Sequence, residues 1–302
     1  MTSTLNIHPN RYLRFARRLR WFFAVYLPPR HTGTIETENG LLSFDSKDRQ
    51  LGRTLHVYRH FEIDGIEFVR EWLHRNHFLA NEPSGCVLDV GGYVGMICIA
   101  MMRRNIFEKA VAFEPYPESF RLLQRNIRQN RLEGKIAAVN LALSDRNSTL
   151  EFELSPKNFG DHRVRVLTED GAQNEMQRRT TAIEAVRFDD FLEQGRLGAP
   201  PTAIKLIWMD IQGHEGRFLA GARNFLRTHA RVPVFMEFWP YGIRRSGITR
   251  ERFCEIVSET FTHFHAFDGG TEIRHAISDM SAYFSEHDGP DIGSHIILIR
   301  DP

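Results

Sequence analysis

From about Glu62 onward, short apolar runs of strand length alternate with longer stretches whose apolar positions recur every three or four residues. That alternation predicts a parallel sheet built from strand-helix-strand units. Cys86 to Val90 reads as the first strand, 94–104 as its helix and 110–113 as the second strand. Pro117 stands where a helix would begin, with Phe120, Leu123, Ile127 and Asn130 following at helical spacing. Residues 136–141 make a third strand. The stretch 149–188 breaks the pattern: 150–154 and 181–188 alternate like half-buried strands around a polar loop, which predicts an insertion beside the ligand site. After Pro200-Pro201 come a fourth strand at 203–209, a helix over 214–228, a fifth strand at 232–238 and a helix over 250–259. Residues 261–267 and 295–299 supply two more strands. The expected fold is α/β, a doubly wound, mostly parallel seven-stranded Rossmann-like sheet. Because the last two strands lack a long helical pattern between them, an antiparallel edge strand is expected. Residues 1–60 read as an N-terminal extension and 61–302 as the main domain.

Within the extension, Arg17, Arg18 and Arg20 precede the apolar run Trp21 to Leu27. The run is far shorter than the roughly 20 residues a spanning helix needs, and Pro28-Pro29 closes it without a small-residue cleavage site. The favoured reading is a helix that packs its aromatic residues on the domain or on a second copy in a homo-oligomer. A basic, aromatic helix could also lie on a membrane surface, so peripheral membrane contact through 11–27 stays open. Lysine and arginine number 39 against 38 acidic residues, a net charge of +1, so no long-range field draws in nucleic acid. Cys86, Cys98 and Cys254 are odd in number and set in apolar segments, which suits reduced thiols and a cytoplasmic setting.

In a doubly wound sheet, ligands bind beyond the carboxyl ends of the strands where strand order reverses. The sequence Asp89-Val90-Gly91-Gly92-Tyr93-Val94-Gly95 ends the first strand at that place. Gly91, Gly92 and Gly95 let the backbone turn tightly and approach a ligand. The spacing D-x-G-x-x-x-G is not the dinucleotide fingerprint G-x-G-x-x-G, and the Asp89 carboxylate would repel a pyrophosphate. A cationic ligand is favoured. Glu114 ends the second strand 114 − 91 = 23 positions after Gly91, near the offset of roughly 20 at which an acid accepts hydrogen bonds from ribose hydroxyls. Asp89 facing an ammonium, Glu114 a ribose, and 140–144 an adenine together fit S-adenosylmethionine.

These segments resemble the FkbM family of methyltransferases. The resemblance rests on an ordered series from 87 to 240: Val-Leu-Asp-Val-Gly-Gly at 87–92, Ala-Phe-Glu-Pro at 112–115, Asn126 with Asn130, and Ala-Leu-Ser-Asp at 142–145. It continues with Asn158, Gly160-Asp161-His162, Phe-Asp-Asp-Phe-Leu at 188–192, Ile204-Lys205, Asp-Ile-Gln-Gly-His-Glu at 210–215, and Glu237-Phe238. It implies a class I fold, S-adenosylmethionine as cofactor, and O-methylation of a hydroxyl on a sugar, glycan or natural product. Asp89, Gly91, Gly92, Tyr93, Gly95, Glu114, Pro115, Ala142, Leu143 and Asp210 are then the expected cofactor residues. Tyr93 stands where the family often has Asn, and Gln212 where it often has Glu.

Methyl transfer from a sulfonium is an in-line displacement, so alignment supplies much of the acceleration and a hydroxyl acceptor still needs a base. Asp210 is the first candidate, with His214 and Glu237 beside it. Asn158, His162 and Glu215 are expected at the acceptor, although His214 and Glu215 could equally cap the following helix. Asp210, Glu215 and Glu237 could hold a divalent cation, but their spacing is no metal signature and none is expected. Two rivals stand against this reading: a nicotinamide-dependent oxidoreductase, which would show G-x-G-x-x-G, and a non-catalytic binding subunit on the same fold.

Overall fold

The computed structural model describes residues 11–26, 29–80, 82–167, 169, 171–268 and 271–301. Residues 1–10 of the extension, and Leu27 and Pro28 of its basic segment, lie outside these. The N-terminal part supplies helix α1 (Arg11–Tyr26), a hairpin of β1 (Thr32–Thr37) and β2 (Gly40–Asp45), and helices α2 (Leu51–Tyr58) and α3 (Ile63–Arg75). The alternating part follows as β3 (Cys86–Val90), α4 (Met96–Arg103), β4 (Lys109–Phe113), α5 (Pro117–Gln129) and β5 (Ile136–Val139). Next come β6 (Ala142–Ser144), β7 (Ser148–Leu154), β8 (Arg163–Val164), β9 (Arg179–Arg187) and α6 (Phe188–Glu193). The chain continues through β10 (Ile204–Met209), α7 (Glu215–Gly221), α8 (Arg223–Thr228), β11 (Val234–Phe238), α9 (Pro240–Arg245) and α10 (Arg250–Ser258). It ends with β12 (His263–Asp268), β13 (Thr271–Ala276), α11 (Met280–Glu286) and β14 (Ser294–Ile299).

The main sheet has the order β13-β12-β14-β11-β10-β3-β4-β5. From β3 the chain winds outward through β4 and β5, then crosses to β10 on the other side of β3. The reversal therefore falls between β3 and β10, which pair in parallel with Asp89 opposite Trp208 and Val90 opposite Met209. A crevice opens there beyond the strand ends.

Four expectations need correction. The sheet has eight strands, not seven, because β13 was missed; its Thr-Glu-Ile-Arg-His-Ala sequence carries almost no apolar alternation and is largely exposed. An antiparallel strand does hold the edge, but it is β13, paired with β12, and the strand expected at 295–299, β14, lies antiparallel in the interior between β11 and β12. The expected helix over 214–228 is two helices, since the buried Asp189 carboxylate accepts from the Asn224 and Phe225 amides, both at 2.9 Å, and so caps a second helix start. The expected strand over 136–141 stops at Val139. There Asn140 Nδ2 donates to the Glu114 and Pro115 carbonyls, and the chain swings away so that β6 joins a separate sheet ordered β6-β9-β7-β8. That second sheet is the insertion.

The N-terminal hairpin was not expected from the hydrophobic pattern, although Asn39-Gly40 is a strong turn signal. Asn39 fixes it at one end by donating to the Phe61 and Met96 carbonyls and accepting from the Phe61 amide. Asn126 of α5 and Asn130 at the helix C-cap fix the length of the hairpin. Asn126 accepts from the Ser43 amide at 2.7 Å and donates to the Ser43 and Val94 carbonyls; Asn130 does the same for Leu41. These side chains imitate a neighbouring strand. Trp21, Val25, Leu42, Phe44 and Leu55 share one buried cluster with Val87 and Leu206 of the sheet and Ile99 of α4.

Asn126 is fully buried, so Asn126→Ala strands one amide and two carbonyls without partners. At ~1 kcal/mol or more for each, a loss of about 3 kcal/mol and a fall in melting temperature of roughly 6 °C are expected in a thermal scan. An unchanged midpoint would show that water replaces the clamp.

Candidate active site

Gly91 follows β3 at φ 96°, where a Cβ would lie 2.0 Å from the Asp210 carbonyl oxygen of the neighbouring loop. Its amide and that of Gly92 both donate to the Phe113 carbonyl, so the turn is drawn across the end of β4. Gly95 is the left-handed N-cap of α4, with a Cβ position only 2.8 Å from Leu123. Its part is conformational. Gly92 and Tyr93 line the crevice.

The Tyr93 hydroxyl donates to Asp48 Oδ2 at 2.7 Å. Asp48 Oδ1 in turn accepts from the Gln50 and Leu51 amides at the start of α2. The residue that departs from the family pattern thereby ties the turn to the N-terminal segment, and Gln50 and Leu51 are carried to the wall of the crevice. No sequence signal marks that tie, because it joins residues far apart in the chain.

Asp89 and Glu114 end adjacent parallel strands. Asp89 is buried and accepts from the Cys98 amide at 3.2 Å, holding the first turn of α4. Glu114 accepts from the Tyr93 and Tyr116 amides at 3.0 and 2.8 Å. Burial pushes the Asp89 carboxyl up to about 6 and Glu114 up to about 8. Glu215 rises to about 7 and Glu237 well above the carboxylate range, both by burial first and then by the charge of Asp210. Gln212 bridges two of the acids, its Nε2 lying 2.7 Å from Asp210 Oδ1 and 2.9 Å from Glu237 Oε2. Among the described residues, no arginine or lysine is a leading influence on Asp89, Glu114, Glu215 or Glu237, and none pairs with them. The fold thus gathers buried acids and leaves them without a cation.

Two cavities meet at this cluster. An inner one of about 60 Å³ is lined by Gly91, Tyr93, Glu114, Pro115, Leu143, Ile211, Gln212 and His214, and it is closed from the insertion side by Phe152, Phe159 and His162. An outer cleft of about 1040 Å³ runs between the insertion and β11, with Asn158, His162, Gln212, Glu237 and Trp239 in its wall. His162 and Gln212 therefore stand where the inner cavity and the outer cleft join, with Asn158 in the wall of the cleft.

The His162 Nδ1 accepts from the Ser155 amide at 3.0 Å, which leaves the proton on Nε2. Burial and Arg178 lower its pKa to about 4, so it is a neutral donor at physiological pH. Asn158 Oδ1 is buried with no hydrogen-bond partner. Behind these, Arg163 pairs with the buried Glu153 at 2.8 Å and lies over the Trp239 ring at 5.0 Å, fixing the indole in the cleft wall.

The remaining expected residues separate into two groups. His214 caps α7, shares a 2.9 Å hydrogen bond with Ser144 Oγ through Nε2, and is lowered to about 3 by burial and Arg217. Its buried Nδ1 has no partner, and the residue lines the inner cavity, not the outer cleft. Glu215 is fully buried, with Oε1 accepting from the Ile211 amide at 3.1 Å, a loop-holding position away from both cavities. Ala142 is packed inside the second sheet while Leu143 reaches the cavity. Asp210, by contrast, is exposed at the mouth of the crevice. Asp210, Glu215 and Glu237 do not converge on a shared point, and among the described residues no group of three histidines, cysteines or acids is placed to hold a metal ion. Glu62, in a left-handed conformation at the start of α3, joins Asp210 and Glu237 at the crevice and was not anticipated.

Residues 89–287 match the Methyltransferase FkbM domain, which is well over half of the chain. The chain belongs to the FkbM methyltransferase family. Membership separates it from the nicotinamide-dependent oxidoreductases that share a Rossmann-like sheet. Among relatives, the 2-O-methyltransferase NoeI of Sinorhizobium fredii is 28% identical over 155 residues, 49% of this chain and 61% of that protein. The methyltransferase sdnD of Sordaria araneosa is 25% identical over 208 residues, 61% of this chain and 80% of that one. Among solved structures, methyltransferase FkbM from Methylobacillus flagellatus aligns with a TM-score of 0.43 at 15% identity, over 82% of this chain and 52% of that one. TYW2 of P. horikoshii in complex with MeSAdo aligns with a TM-score of 0.36 at 13% identity, over 74% of this chain and 58% of that one. This FkbM chain thus spans about three fifths of NoeI and half of the solved FkbM chain. Among its described residues, no helix is long and apolar enough to cross a membrane.

The buried acids make a pH signature. A carboxyl whose folded pKa is raised stabilises the fold below its ordinary range and loses that contribution as pH climbs through the folded value, here about 6 for Asp89, 7 for Glu215 and 8 for Glu114. His162 and His214 are depressed, so their contribution is complete above about 6.5 and is lost only on acidification. Between roughly pH 6.5 and 8 the carboxyls act alone, and the melting temperature of the ligand-free protein is expected to fall steadily. A flat differential-scanning profile across that interval would contradict the buried acid cluster.

Proposed function

We propose that this FkbM methyltransferase uses S-adenosylmethionine to methylate a hydroxyl of a sugar, glycan or natural-product acceptor. The observation that carries the reading is the pair Asp89 and Glu114, buried at the ends of adjacent parallel strands beside the Gly91 turn and facing no cation of the protein. A cationic nucleoside fits: Glu114, with both oxygens already held by backbone amides, presents its free lone pairs to ribose hydroxyls, and Asp89 faces the ammonium. Pro115, Leu143 and Ile211 offer an apolar wall to the adenine. When bound, the cofactor supplies a sulfonium-activated methyl group.

The chain's own residues position the acceptor and take its proton. Asp210 is the exposed acid at the crevice mouth, oriented by Gln212. As the acceptor oxygen forms its bond to the methyl carbon and the carbon-sulfur bond breaks, the hydroxyl proton passes to Asp210. Glu237, held protonated by burial, stands beside it as a hydrogen-bond donor. Neutral His162 donates through Nε2 and Asn158 Oδ1 accepts, a complementary pair for a hydroxyl-rich acceptor. The NoeI relative, a 2-O-methyltransferase, supports oxygen as the acceptor atom.

Asp210→Asn keeps the shape and removes the base. Single-turnover transfer to an accepted hydroxyl should slow by roughly 100-fold or more, while affinity for S-adenosylhomocysteine changes by less than about threefold. Transfer at the parental rate would remove Asp210 from the mechanism.

A further inference from the structure

Helix α1 exposes an apolar stripe that the methyl-transfer site does not use. Tyr12 is 80% exposed, Phe15 61%, Leu19 45%, Phe22 53% and Phe23 55%. Their spacing of three and four residues puts them along one side of the helix. The opposite side is docked: Trp21 and Val25 are buried, Trp21 packs on Phe44 and His56 with ring centroids 5.8 and 5.5 Å apart, and Arg17 donates to the Val57 carbonyl. The stripe is therefore held outward by a fixed helix.

Charge is segregated on the same helix. Arg11, Arg14, Arg17, Arg18 and Arg20 fall within its 16 residues and no acid does, although the whole chain carries a net charge of only +1. At 100° per residue, Arg18 and Arg20 border the apolar stripe on its two sides. Arg53 and Arg59 of the adjoining α2 region add to the field, and Arg59, Arg17 and Arg20, after burial, hold His56 down to about 4.

We propose that α1 docks the protein on an anionic lipid surface, with its aromatic stripe at the acyl boundary and Arg18 and Arg20 among the headgroups. The chemistry selects lipid over other occupants. A second copy seated on this face by a two-fold axis would bring the same arginines against one another, whereas lipid phosphates neutralise them. A nucleic acid offers phosphates but no apolar layer for five exposed apolar side chains. At 16 residues the helix lies in the interface and does not span it.

The test is flotation of the full chain with vesicles of phosphatidylcholine alone and of phosphatidylcholine mixed with phosphatidylglycerol. Binding to the mixed vesicles should be at least roughly tenfold tighter and should weaken in high salt. The variant Phe15→Ser/Phe22→Ser/Phe23→Ser should lose it, and Arg18→Gln/Arg20→Gln, which leaves the apolar stripe untouched, should weaken it by roughly tenfold. Both variants alter exposed side chains, and unchanged melting temperatures verify their folding. Absence of flotation with the mixed vesicles, or flotation indifferent to both variants, overturns the proposal. A concentration-dependent dimer that the triple substitution dissolves, without vesicle binding, assigns the stripe to a second copy and overturns it equally.

Discussion

Gly91→Ala should cost about 3 kcal/mol or more of stability and abolish cofactor binding. At φ 96° the added Cβ is strained in any surroundings, and here it would meet the Asp210 carbonyl oxygen at 2.0 Å. That contact is with backbone, so no rotamer relieves it. The turn and the Asp210 loop must part, which separates the glycine frame from the proposed base. Denaturant unfolding and calorimetry with S-adenosylhomocysteine measure both effects. Gly134→Ala, where nothing lies within 4 Å, should stay within about 0.5 kcal/mol of the parent and serves as the control. A Gly91→Ala protein of parental stability would mean that the crossing of β3 and β10 is looser than described.

Glu114→Ala should weaken S-adenosylhomocysteine binding by roughly 10 to 100-fold, the worth of one or two hydrogen bonds to the ribose. Because Glu114 also holds the Tyr93 and Tyr116 amides, about 2 kcal/mol of stability should go with it. The two effects separate if binding is measured well below the variant's melting temperature. Unchanged affinity in a folded variant would show that the ribose lies elsewhere.

The order β3-α4-β4-α5-β5 was legible because each strand is mostly apolar and each helix begins at a glycine or proline. Asp89, Gly91 and Glu114 could be placed from spacing alone, since strand ends in a doubly wound sheet share one rim. What stayed hidden depends on side chains that replace backbone partners. Asn126 and Asn130 were visible as a helical pair, but nothing in their spacing says that they clamp Ser43 and Leu41 of an N-terminal hairpin. Asp189 splits a helix thirty-odd positions later by capping Asn224 and Phe225. Tyr93 shows the same limit from the other side: a departure from the family pattern reads as an altered ligand contact, and its hydroxyl instead reaches Asp48. Glu215 illustrates a choice that sequence leaves open between ligand contact and loop support. Its Oε1 is taken by the Ile211 amide.

The crevice beyond β3, β4 and β10 is expected to hold S-adenosylmethionine through Asp89 and Glu114. A crystal structure with S-adenosylhomocysteine tests it most directly. Ribose hydroxyls should lie within hydrogen-bond distance of Glu114, the amino group beside Asp89, and the adenine against Pro115, Leu143 and Ile211. A ligand bound elsewhere, or an empty crevice at saturating concentration, would contradict it.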